Sequence, residues 1–170
     1  MSETKVKKSK GKKALKIIGI ILAVIVALVA ILAVVNVIGD KANESKAQSF
    51  EKVNYENQLK PEKDDLGNWT FTTDNDIKVM QLTDVHIGGG FLSFKKDAMA
   101  INCVAAMISA EKPDLVIVTG DIAYPVPFQA GTFNNKVSAK IFAELMESLG
   151  VYWSLGFGNH DTELYSYFTR

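Results

Sequence analysis

Cysteine is almost missing from this sequence: Cys103 is the single example. One thiol permits no intramolecular disulfide and no thiolate zinc cage. Its place on the apolar side of an expected helix marks it as an inert core residue. Histidine is nearly as scarce, with His86 and His160 alone. Charge is absent from residues 17–38, which argues for an anchor and against a transport path. A basic excess is missing from the body as well. Residues 1–38 hold seven lysines against one acid, Glu3, so 12 basic and 18 acidic side chains fall in residues 39–170, a net charge of −6. An acidic body gives no support for a nucleic-acid partner, which needs a basic face. No internal repeat is visible.

What is present divides into four stretches. Residues 1–16 form a Lys-rich tail. Residues 17–38, "IIGIILAVIVALVAILAVVNVI", are 22 residues with one polar member, Asn36. As a helix this run reaches roughly 33 Å, enough to cross a hydrocarbon core. It exceeds the apolar region of a cleaved signal peptide, about 7–15 residues, and "NVIGDKANES" offers no clear Ala-x-Ala site. An uncleaved signal anchor is expected. Seven lysines precede the span, whereas Lys41, Lys46 and Lys52 after it are diluted by Asp40, Glu44, Glu51 and Glu56. The tail then stays cytoplasmic and the body lies outside, as a single-pass protein of the cell membrane. Residues 39–68 are polar and mixed in charge, with Pro61 and Gly67 as breaks, and read as a stalk.

Residues 69–170 read as an α/β domain. "WTFTT" and "IKVMQLTD", separated by Asp74, Asn75 and Asp76, suit a hairpin. A Gly-rich loop, "HIGGGFLSF", leads to a helix from about Lys95 to Glu111, with Ala98, Ile101, Val104, Ala105 and Ile108 at helical spacing. "PDLVIVTGD" is a short apolar strand of the kind parallel sheets bury on both faces. In "IAYPVPFQAGTFNN", Pro125 and Pro127 oppose regular structure. A second helix from about Lys136 to Leu149 places Val137, Ile141, Leu145 and Leu149 on one side and ends at Gly150. "VYWSLGF" is the third strand. The order β-α-β-α-β implies a layered α/β fold with a parallel sheet.

The chemistry-bearing residues gather at strand ends: Asp84-Val85-His86, Gly120-Asp121 and Gly158-Asn159-His160-Asp161. All three clusters fall where open α/β sheets bind ligands, so they face one crevice. Carboxylates, imidazole and an amide oxygen suit Mn²⁺, Fe or Zn²⁺, and a lone carboxylate can bridge two ions. Two such ions about 3.5–4 Å apart clamp a phosphate and acidify water. Each motif alone is weakly specific; the ordered set is what points to a metal site.

"TDVHIG", "VTGDIA" and "GNHDTE" resemble the first three motifs of the calcineurin-like metallophosphoesterases, over residues 77–163. The resemblance implies the amino-terminal part of an αββα sandwich and a binuclear centre of two divalent ions. It implies that Asp84 and His86 hold one metal, Asp121 bridges both, and Asn159 ligates the second. It further implies that Asn159 and His160 bind the phosphate-ester substrate, and that His160 protonates the leaving group, with Asp161 orienting it. The activity implied is hydrolysis of phosphomonoesters or phosphodiesters at a membrane surface. The family is similar further along too, through a lone His and a Gly-His-x-His motif. No histidine follows residue 160, so the chain reads as a truncated member.

Two rivals stand beside this. A dinucleotide-binding loop would use Gly88 and Gly90, but Ser93 holds the third glycine position and the loop does not start at the strand end. A membrane-tethered remnant that binds a ligand or partner without catalysis fits the absent histidines. Trp69, Trp153, Tyr152 and Phe157 read as core. Tyr124, Phe128 and Phe133 read as residues of the crevice mouth, and Lys95 and Lys96 as solvated.

Overall fold

The computed structural model describes residues 3–163 and 166–168. The chain forms two compact units, one ending at Val37 and one starting at Ile38. Helix α1, Glu3–Gln48, runs through the first and into the second. From Leu15 to Ile38 its large apolar side chains are exposed all round, with no stripe to bury against protein. Over Gly11–Gln48 the helix is long enough, and contains a window apolar enough, to cross a membrane.

The second unit begins inside the stretch expected to be a stalk. Asn43 donates to the Phe94 carbonyl at 3.2 Å. Ala47 is fully buried, and Ser148 donates to its carbonyl at 2.7 Å. Farther on, Val53 N–H bonds to the Leu149 carbonyl at 2.9 Å and Tyr55 O–H to the Pro113 carbonyl at 2.7 Å. These contacts hold residues 43–55 on the core. Asn43 and Ala47, four apart, are the buried positions of a helix surface that otherwise looks polar.

Strands β1, Glu62–Lys63, and β2, Trp69–Thr70, form a small antiparallel pair. Thus "WTFTT" pairs backwards with Glu62–Lys63 and makes no hairpin with the strand after it. The turn between them is closed by Asp64, whose carboxylate accepts the Leu66 and Asn68 N–H groups. Trp69 is 70 % exposed under the Lys63 ammonium and is not a core residue.

The main sheet is parallel, in the order β3 (Val79–Leu82), β4 (Leu115–Val118), β5 (Trp153–Leu155). Val79 pairs with Leu115 and Leu82 with Val118, while Val118 also pairs with Leu155. Helices α2, Phe94–Glu111, and α4, Asn135–Leu149, connect them. Ile101, Val104, Ala105 and Ile108 of α2 join Ile141, Phe142, Leu145, Met146 and Leu149 of α4 and Leu82, Val116 and Val118 in one buried cluster. The expected α/β fold with a parallel sheet is therefore present. Burying this cluster is the main stabilising term, at about 25 cal/mol per Å² of apolar surface.

Several local expectations are corrected. In β4 only Val116 and Val118 are fully buried; Leu115 and Ile117 are half-buried. Cys103 is exposed, because it falls between Ile101 and Val104 and just off the buried stripe. Phe157 is exposed too. Helix α3, Pro127–Ala130, occupies the loop that two prolines were expected to keep irregular. Pro127 opens that turn, where a missing N–H costs nothing.

Candidate metal centre

Three loops leave the carboxyl ends of β3, β4 and β5 and are stitched together by backbone. Thr119 N–H bonds to the Leu82 carbonyl, Asp84 N–H to Gly120, His86 N–H to Asp121 and Ile87 N–H to Ile122, at 2.7 to 3.2 Å. The third loop joins through Asp121, whose Oδ1 accepts the His160 N–H at 2.8 Å. Gly158 lies so close that a Cβ there would collide with the Asp121 carboxylate. Only glycine allows this approach.

Within this frame Asp84, His86 and Asp121 all take left-handed backbone conformations, with φ of 55°, 53° and 55°. Asp and His tolerate that region better than most residues, yet it remains costly. Lys112, at the end of α2, is the other described non-glycine residue with positive φ. Backbone strain is thus concentrated on three expected ligands.

Their side chains converge. His86 Nε2 lies 3.6 Å from Asp84 Oδ1 and 3.9 Å from Asp121 Oδ2. His86, Asp121 and His160 each place a ligand atom within 4.8 Å of the others. Asp121 is nearly buried, whereas Asp84 is open to solvent. Asn159 stands exposed beside His160. Oxygen and nitrogen donors at this spacing fit a divalent ion of the Mn, Fe or Zn type. The Tyr124 ring packs 4.7 Å from both His86 and His160, and these rings are 5.4 Å apart. Tyr124 therefore belongs to the centre itself. Phe128 and Phe133 are exposed.

The Asp161 carboxylate bonds to backbone. Its Oδ2 accepts the N–H groups of Asp121 and Gly158 at 2.9 and 2.8 Å, and its Oδ1 accepts that of Ala123 at 2.9 Å. Both oxygens are spent on backbone, so Asp161 fastens the third loop to the second. The carboxylate beside His160 is Glu163, whose Oε1 is 2.7 Å from Nδ1. An ionised carboxylate only accepts, so Nδ1 carries the proton and Nε2 is left for chemistry. Glu163 was missed because nothing in "GNHDTE" distinguishes a partner three residues on from one adjacent.

A family model for calcineurin-like phosphoesterases matches residues 77–170, which include all three loops. The chain belongs to that family. Among curated proteins, this phosphoesterase domain is similar to "Probable inactive purple acid phosphatase 14" of Arabidopsis thaliana, 30% identical over 104 residues, 55% of this chain and 25% of that protein. It is also similar to "Probable inactive purple acid phosphatase 28" of the same plant, 24% identical over 106 residues with the same coverage. The chain thus spans about a quarter of the length of these relatives. No solved structure matches it.

Proposed function

We propose that this chain carries a metal-dependent phosphoesterase centre on a membrane anchor, with the tail cytoplasmic and the domain outside. The observation that supports this most is the set of three left-handed residues, Asp84, His86 and Asp121, whose side chains converge with His160. Asp84, His86 and Asp121 would hold one divalent ion; Asp121 and Asn159 would offer ligands to a second. Bound there, the ions would supply charge neutralisation for a phosphate ester and lower the pKa of water. Asp121 is held for this by the His160 N–H on Oδ1, which leaves Oδ2 toward His86. His160, with Nδ1 fixed by Glu163, has Nε2 to bind the phosphate or pass a proton to the leaving oxygen. Asn159, exposed beside it, would contact the same phosphate.

A second reading is a ligand- or partner-binding protein without turnover. It is favoured by the names of the two relatives, both "probable inactive". Purified chain assayed with p-nitrophenyl phosphate and its bis-ester in Mn²⁺ separates the two. Hydrolysis that disappears in His160→Ala supports the enzyme. Metal binding with no turnover of either ester would establish the second reading.

A further inference from the structure

The loop after His86 is built around a carboxylate of its own chain. Asp97, in the first turn of α2, is 1 % exposed. Its Oδ1 accepts the Gly88 N–H at 2.9 Å, and its Oδ2 accepts the Gly89 N–H at 3.0 Å and the Ser93 hydroxyl at 2.9 Å. The Ser93 oxygen accepts the Gly90 N–H at 3.2 Å. Three successive amides are satisfied from one side. A Cβ on Gly88 would strike the Ser93 side chain, and one on Gly90 the Ala130 carbonyl. "HIGGG" is thus an anion nest whose anion is internal, which also removes it as a cradle for a nucleotide phosphate.

The other edge of the segment is tied to the second loop, by His86 N–H to the Asp121 carbonyl, Ile87 N–H to Ile122 and Tyr124 N–H to Ile87. His86 opens the second tie, two residues before the first tie begins at Gly88, and takes a left-handed conformation. Burial pushes the Asp97 carboxyl up from its ordinary value, while the Gly88, Ser93 and Gly89 donors pull it back. A desolvated carboxylate is a costly way to gain stability. What it supplies better than an apolar residue is a fixed path for two N–H groups directly and a third through Ser93.

We propose that Asp97 is a positioning residue for the metal centre: through Gly88 and Gly89 it sets where the His86 imidazole meets the ion. The proposal rests on the metal reading above and adds a residue outside the three motifs. Its test is the Mn²⁺ affinity of the full chain in detergent, by calorimetry well below the unfolding temperature, for wild type, Asp97→Asn, Ser93→Ala and Ile108→Val. Asp97→Asn should weaken Mn²⁺ binding about 10- to 100-fold, the usual loss when an outer support of a ligand is removed. Ser93→Ala should give a smaller loss of the same sign. Ile108→Val, a packing change in the same helix, should lower the melting temperature and leave the affinity alone. If Asp97→Asn does not fold, Ser93→Ala decides. Unchanged affinity in the folded Asp97 or Ser93 variant overturns the positioning role while leaving the metal reading intact. A wild-type chain that binds no Mn²⁺ overturns both.

Discussion

The smallest scale at which the site can be understood is the single left-handed residue. Asp84, His86 and Asp121 each hold a backbone conformation costing about 1–3 kcal/mol, which persists only where the surroundings over-determine it. Asp161 is one source of that constraint, because its buried carboxylate collects the N–H groups of Asp121, Ala123 and Gly158. Asp161→Ala should therefore cost about 3 kcal/mol of stability, read by denaturant titration, since it strands buried donors. Glu163→Ala should cost less than about 1 kcal/mol, because it removes one part-buried side-chain contact and leaves no backbone donor stranded. Equal losses would return Asp161 to the role of a histidine partner. The three polar clusters that the loops bring together were legible in the sequence because each closes an apolar strand. The contacts of Asp161, Glu163 and Asp97 were not. Their partners are backbone amides or a side chain on the next turn, and adjacency in sequence does not reveal adjacency in space.

At the scale of elements, the end of α1 is the part the sequence concealed most. Its buried positions are Asn43 and Ala47, which hydropathy cannot separate from a solvated helix. The same turns bring Asp40 to α2. Burial, with the charges of Asp97 and Glu44, pushes the Asp40 carboxyl up from 3.8 to about 6. A carboxyl raised in the folded state keeps its proton there while the unfolded chain loses it. The resulting stability is full below about pH 4 and is lost as pH rises to about 6. Asp40 is only half-buried, so solvent limits the effect to less than about 1 kcal/mol. The melting temperature should fall from pH 4.5 to 7.5 by more in wild type than in Asp40→Asn. An Asp40→Asn chain no more stable than wild type at pH 7.5 would show that the end of α1 does not pack as described. The helices α2 and α4, by contrast, were legible to within a residue, because their apolar spacing and the Gly150 terminator are strong local signals.

For the whole molecule, the apolar helix and the acidic α/β unit carry separate messages, the first written in composition and the second in the three motifs and the family match. One supplies a candidate membrane span, the other a calcineurin-like phosphoesterase domain with its first three loops assembled. The fold class was readable because three apolar strands alternate with two helices of ordinary length. The small β1–β2 pair was not, since two-residue strands leave no periodicity. Everything proposed about activity depends on whether these loops hold an ion. The direct measurement is elemental analysis of divalent metal retained by the purified full chain and by its Asp121→Asn variant, with folding of both checked by circular dichroism. Retention of Mn, Fe or Zn by wild type and its loss from the folded variant is the predicted result. Equal metal content in the two, or none in wild type after incubation with each ion, would contradict the metal centre.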